Sequence, residues 1–129
     1  MGMTGQSAMD LLLHSEYKPD DAPGGLQKYA RRIYDRYQSV PPISEANPVS
    51  AFTHLFSGAY GAGYYSYLWS DMLDSDAYTR FGSDTTGAAK RFRGQILERG
   101  NSAPAAEIFR DFAGREPDVK SLLRKYGVN

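Results

Sequence analysis

No stretch of this chain alternates apolar and polar residues in steps of two, whereas several stretches repeat apolar residues at every third or fourth position. A strand shows the same face at every second residue and a helix at roughly every 3.6 residues, so the pattern predicts an all-α fold of about five or six helices. The clearest example is Leu26, Tyr29, Ala30, Ile33, Tyr34 and Tyr37, which share one helical face, while Lys28, Arg31, Arg32, Asp35 and Arg36 fall on the others as a solvated surface. Ala8 to Leu13 reads as a short helix, or as the end of one that begins upstream. Glu16 to Gly25, with Pro19 and Pro23, reads as a connector.

Pro41, Pro42 and Pro48 fix a loop from Val40 to Pro48, and a short apolar segment from Val49 to Phe56 leads into a glycine-rich run. Beyond it Tyr65, Leu68, Trp69, Met72 and Leu73 form the apolar stripe of a long helix and are expected to be its core face. Gly82 to Gly87 breaks that helix. Ala88, Ala89, Phe92, Ile96 and Leu97 mark another, closing at Gly100. Ser102 is placed to cap a helix carrying Ile108, Phe109 and Phe112, which stops at Gly114. Pro117 suits the first turn of a last helix with Val119, Leu122, Leu123 and Tyr126 on one side and Gly127 as terminator.

The 129 residues suit one ordinary domain. Lys plus Arg and Asp plus Glu are equal at 15 each, which argues against a nucleic-acid partner and against an acidic solvating tail. With no cysteine, disulfides, thiol catalysis and cysteine-ligated zinc are excluded. No apolar run approaches the ~18 residues that span a bilayer, no signal peptide is evident, and Gln6 stands where an N-myristoylation signal wants Ser or Thr. The expectation is a protein of the cytoplasm or an organelle matrix with no membrane partner. Ten tyrosines against one tryptophan and two histidines stand out; an apolar ring with a polar tip serves packing and binding clefts alike.

His14 and His54 are far apart and neither belongs to a His-Glu-x-x-His pair, whose spacing puts two imidazoles on one helical face to share a zinc ion. No metal site is expected from this chain. Gly-x-Ser-x-Gly is absent, and the glycine-rich run from Gly58 through Ala59, Tyr60 and Gly61 to Gly63 lacks the Lys-Ser/Thr ending of a phosphate-binding loop. Its glycines suit unusual backbone angles and close approach of a ligand. Tyr64 and Tyr67 follow, three apart and on nearly one side of a helix, with Tyr60 in line if the helical path extends back. Such a row points away from the centre of the Trp69 and Met72 stripe. A phenol with a pKa near ~10 stays protonated at neutral pH and can donate a hydrogen bond to an oxygen gaining negative charge, as could His54. Packing beneath a neighbouring helix fits the same spacing.

The run Phe52-Thr53-His54-Leu55-Phe56-Ser57-Gly58-Ala59-Tyr60-Gly61-Ala62-Gly63-Tyr64-Tyr65-Ser66-Tyr67-Leu68-Trp69 resembles a segment of the thimet oligopeptidase family of zinc metallopeptidases, which includes bacterial oligopeptidase A and peptidyl-dipeptidase. The likeness continues through Arg91-Phe92-Arg93, Ile96 to Ser102 and Phe112 to Pro117, and reaches back to Met9-Asp10-Leu11. It implies the C-terminal part of a mainly helical peptide hydrolase with a deep cleft between two domains. In the family a His-Glu-x-x-His helix and a later Glu bind one zinc ion, and the glycine-rich loop with its following helix lines the opposite wall. The resemblance assigns substrate contact and transition-state stabilisation to His54, Tyr60, Tyr64 and Tyr67, and a substrate loop to Gly58, Ala59, Gly61 and Gly63.

Ala59 replaces a glycine usual in relatives, which should stiffen the loop, and the 82–87 connection is shorter than theirs. The zinc ligands and catalytic Glu match sequence amino-terminal to this chain. The resemblance therefore implies a chain without a cofactor of its own, inactive alone, whose partners are short peptides and a chain carrying the zinc-binding half. A stand-alone helical module that binds peptides or a protein without catalysis is the alternative.

Overall fold

The computed structural model describes residues 2–21, 23–40 and 43–128. Pro41 and Pro42 of the expected loop lie outside these. The described residues form seven α-helices and no strand, one more helix than the upper end of the expectation. The chain divides into two compact units, Met1–Leu68 and Trp69–Asn129.

In the first unit, α1 (Met3–Ser15) begins well before the apolar pattern does. Its buried positions are Gly5, Ser7, Met9, Asp10 and Leu13, and the first two and Asp10 are invisible to a search for apolar periodicity. The Ser7 hydroxyl donates to the Met3 carbonyl at 2.8 Å, which satisfies a polar group that burial would otherwise orphan. After a 3-10 turn at Pro19–Asp21, α2 (Gly25–Arg36) follows Gly24, whose φ of 85° is left-handed. Its face is as the sequence predicts, with Ala30 and Ile33 buried and Leu26, Tyr29 and Tyr34 half-buried; Tyr37 lies past its end and is exposed.

The apolar segment after the loop becomes α3 (Pro48–Ala51) and a 3-10 turn, Thr53–Leu55. Asn47 caps α3 by accepting from the Ser50 amide at 2.9 Å, and Pro48 occupies the first turn where its missing N–H costs nothing. Met9, Leu13, Ala30, Ile33, Val49, Phe52, Leu55 and Tyr64 form the core of this unit.

Helix α4 (Ser66–Tyr78) does not bury the stripe the sequence suggests. Tyr65 is 51% and Trp69 62% exposed, and the buried positions are Asp76 and Ala77, with Leu73 packed against the second core. Asp76, further along the same side of the helix as Trp69, takes the buried position instead. Its carboxylate is fully enclosed and accepts both Arg115 guanidinium nitrogens at 2.6 and 2.7 Å, the Asp118 amide at 2.9 Å and the Ser121 hydroxyl at 3.2 Å. A charge satisfied by four hydrogen bonds can occupy a core position that apolar patterning does not mark.

Helix α5 (Thr85–Phe92) is capped by Asp84, which accepts from the Gly87 amide at 2.9 Å, so the expected 82–87 break ends sooner and Gly87 lies inside the helix. A π-helical turn, Arg93–Leu97, continues it, with the Glu98 amide donating five residues back to Arg93 at 2.8 Å. Helix α6 (Ala105–Ala113) starts after Pro104 with no side-chain cap, so Ser102 does not take the capping role expected of it. It ends at Gly114, φ 73°, as predicted. Helix α7 (Lys120–Lys125) begins beyond Pro117, and its expected apolar side is largely exposed at Val119, Leu123 and Tyr126. Ala77, Phe109, Phe112 and Ala113 are the core of this unit.

Arg115 holds the Asp76 carboxyl below the ordinary carboxylate range against the opposing effect of burial, with the Asp118 amide and Ser121 adding to the depression. Asp71 is lowered likewise by its hydrogen bonds from Lys125 and Tyr126. An unfolded chain binds these protons first as pH falls through about 4. Stability conferred above that pH is therefore lost on further acidification through the depressed folded values. Amide hydrogen exchange across residues 69–129 at pH 6 and pH 3 should show protection falling at the lower pH. Equal protection, after correction for intrinsic exchange rates, would contradict the assignment.

Candidate functional site

The four residues singled out by the glycine–tyrosine spacing come together in the first unit. His54 lies in the Thr53–Leu55 turn, Tyr60 in the glycine loop, Tyr64 in the last turn before α4, and Tyr67 in its first turn. The His54 ring meets Tyr60, Tyr64 and Tyr67 edge-on, with centroids 5.1, 5.3 and 6.1 Å away. Tyr60 and Tyr67 stack at 5.5 Å with only 13° between their planes, and Tyr64 lies 4.8 Å from Tyr67.

The three phenols do not form a displayed row. Helical geometry does not extend back to Tyr60: residues 61–65 are turns, Ala62 has a φ of 56°, and the Gly63 amide bonds Tyr60 three residues back at 2.8 Å. The turns rotate Tyr64 inward. Its ring is 8% exposed and meets Phe52 edge-on at 4.7 Å, and its hydroxyl donates to Gln6 Oε1 at 3.0 Å. Tyr60 is 38% exposed, and His54 and Tyr67 are half-buried. The surface-accessible donors are thus Tyr60, Tyr67 and His54, with Tyr64 as the floor beneath them.

Tyr67 holds its proton above the ordinary tyrosine value, first because of its hydrogen bond with Tyr60, then through burial and the neighbouring phenols Tyr60 and Tyr64. It therefore remains a donor across the neutral range. Two backbone positions shape the loop. Gly58 takes a left-handed φ of 73°, and a Cβ on Gly61 would sit 3.3 Å from His14 Nε2, tighter than most real contacts, and in ordinary contact with the Leu55 carbonyl at 3.5 Å. Ala59 is exposed.

Sequence reasoning missed what supports the loop. Asp10, fully buried, accepts from the Ala62 amide at 3.0 Å and the Tyr64 amide at 2.9 Å, and His14 Nδ1 lies 2.8 Å from the Asp10 carbonyl and 3.1 Å from its carboxylate. The signal was available: Asp10 and His14 are four apart and share one face of α1.

No group of three His, Cys, Asp or Glu side chains among the described residues is arranged to hold a metal ion. His14 and Asp10 are engaged with each other and with the loop. The described residues thus do not make up the zinc site that the family resemblance implies, and what they offer is hydrogen-bond donation. No helix among them is long and apolar enough to cross a membrane.

Curated oligopeptidases are similar to this chain over most of its length. Organellar oligopeptidase A, chloroplastic/mitochondrial, of Arabidopsis thaliana is 37% identical over 129 residues, 95% of this chain and 16% of the relative. Oligopeptidase A of Escherichia coli is 40% identical over 124 residues, 92% of this chain and 18% of the relative. Dipeptidyl carboxypeptidase of the same bacterium is 37% identical over 102 residues, 77% of this chain and 15% of the relative. The chain therefore spans less than a fifth of the length of these relatives. The sequence model of peptidase family M3 matches residues 3–128, and the chain belongs to that family.

Proposed function

We propose that these residues form the substrate-gripping wall of a zinc-dependent oligopeptidase and supply hydrogen-bond donors for peptide-bond hydrolysis, the zinc ligands coming from sequence outside this chain. The observation that carries the reading is the His54, Tyr60, Tyr64 and Tyr67 cluster, with two stacked phenols, Tyr60 and Tyr67, on its accessible side. When a peptide carbonyl is attacked its oxygen gains negative charge, and a fixed O–H donor binds that oxygen more strongly than the ground-state carbonyl. Tyr67, which keeps its proton, and Tyr60 beside it suit that task, and His54 suits contact with the peptide backbone. The 129 residues alone are inactive in this reading. The relatives' names support a cytoplasmic or organelle-matrix setting.

The test is a chimera in which residues 3–128 replace the aligned segment of Escherichia coli oligopeptidase A, assayed with a quenched fluorescent peptide. The chimera is expected to be active, and Tyr67→Phe within it to lower kcat about 100- to 1000-fold, the usual effect of losing one oxyanion donor. A Tyr67→Phe chimera as fast as its parent would remove the reading. Specific binding of short peptides by the 129-residue chain, joined to an inactive chimera, would favour a stand-alone helical binding module instead.

A further inference from the structure

Asp10 presents an unexplained arrangement. A carboxylate that is 0% exposed is expensive to bury, and such groups normally face a cation or a dense set of donors. This one faces His14 on its own helix and, otherwise, two main-chain amides more than 50 residues away in sequence, those of Ala62 and Tyr64. Each oxygen takes one of them, Oδ1 from Ala62 and Oδ2 from Tyr64. The loop therefore wraps around the carboxylate at alternate residues, and the residue at its first contact, Ala62, is held at a φ of 56° that residues with a Cβ disfavour. His14, one turn along α1, closes the other side, its Nε2 standing 3.3 Å from where a Cβ on Gly61 would lie. The path of residues 61–64 is thus imposed from α1.

That path sets the phenols. Tyr64 is itself one of the two amide donors, Tyr60 is tied to the same turn through the Gly63 amide, and Tyr67 follows Tyr64 by a hydrogen-bonded turn at 3.1 Å. We propose that Asp10 is a positioning residue, which holds the glycine loop so that the Tyr60 and Tyr67 hydroxyls meet the substrate oxygen in register. The role as positioner rests on the oxyanion reading given above, whereas the grip on the loop stands apart from it. Asp10 touches no substrate in this scheme. Its loss spoils the donors' alignment, not the rest of the peptide contacts, so kcat falls while KM is largely kept.

Two measurements separate the grip from the catalytic reading. In the unsubstituted 129-residue chain, the amide nitrogens of Ala62 and Tyr64 should show through-hydrogen-bond coupling to the Asp10 carboxyl carbon, and absence of that coupling overturns the grip without any variant. Asp10→Asn leaves the shape but turns an NH2 group towards one amide. It should lower exchange protection about 10-fold or more at whichever of the Ala62 and Tyr64 amides faces the NH2, and less at the other, whose bond is no longer charge-assisted, and leave Phe112 unchanged. Adding Ala62→Gly, which tolerates the left-handed angle unaided, should restore part of the loss. Unchanged protection in Asp10→Asn overturns the proposal.

In the active chimera, Asp10→Asn should lower kcat about 100-fold, the scale of a misplacement near 1 Å, with KM within about twofold, as kcat-only effects require. If Tyr67→Phe slows the chimera and Asp10→Asn does not, the positioning role fails and the oxyanion reading stands. If neither slows it, the oxyanion reading fails while the coupling and exchange data still judge the grip.

Discussion

Arg115→Met lowers the stability of the 69–129 unit by about 3–5 kcal/mol, the range seen when one member of a buried ion pair is removed. Arg115 is itself partly exposed, and the cost falls on the partner left behind. Asp76 would keep the Asp118 amide and the Ser121 hydroxyl as donors but lose the cation and both of its short bonds, at 2.6 and 2.7 Å. Domains of this size have total stabilities of roughly 5–15 kcal/mol, so the loss is a large part of what exists. Arg115→Lys keeps the charge but not the two-pronged geometry and should lie between the two proteins. Urea unfolding followed by far-ultraviolet circular dichroism, combined with residue-resolved exchange, gives the comparison. The gap between wild type and Arg115→Met should narrow below about pH 4 as Asp76 takes up a proton. A gap that stays constant into acid would mean that the pair's charge is not what Arg115 contributes.

The second large effect is expected at Phe52. Its ring is 7% exposed, belongs to the first core, and meets Tyr64 edge-on at 4.7 Å. Phe52→Ala removes a buried ring and leaves a cavity, a change that costs about 3–5 kcal/mol in well-packed cores. Because Tyr64 loses the surface against which it packs, the loss should reach the loop amides: exchange at Ala62 and Tyr64 should quicken along with exchange in α1 and α2. Phe52→Leu, which keeps most of the volume, should retain the greater part of the stability. If Phe52→Ala left the first unit's exchange protection intact, the ring would be a bystander to the fold that supports the site.

How much was legible in the sequence depended on whether the buried face was apolar. Helices α2 and α6 were readable because Ala30 and Ile33 in one, and Ile108, Phe109 and Phe112 in the other, carry their inward faces in apolar residues at helical spacing. The start of α1 was not, since it buries Gly5 and Ser7, and along α4 the burial was placed at Tyr65 and Trp69 when it falls at Asp76 and Ala77. Patterning is blind to a polar side chain whose hydrogen bonds are all met by residues distant in sequence. Arg115 is 39 residues from Asp76, and Ala62 is 52 from Asp10.

The site was half legible for the same reason. The spacing placed Tyr60, Tyr64 and Tyr67 in a displayed row and the family resemblance added His54 to them, whereas the fold brings the four rings together as a cluster. Which phenols face outward was set by the turns at residues 61–65 and by the Asp10 contacts, and helical extrapolation cannot supply either.

The wide turn at Arg93–Leu97 has a consequence for the length of the chain. A five-residue ring holds one residue more than the α-helical ring needs, and it holds it without a loop. Removing Gly94 would let the ring close to ordinary α geometry while the segment keeps its connection to α5. The segment works as a slack link, a point where one residue is gained or lost with continuity preserved. Within that turn Ile96 packs against the second core while Leu97 is 63% exposed, so the slack carries one apolar anchor and leaves its neighbour in solvent.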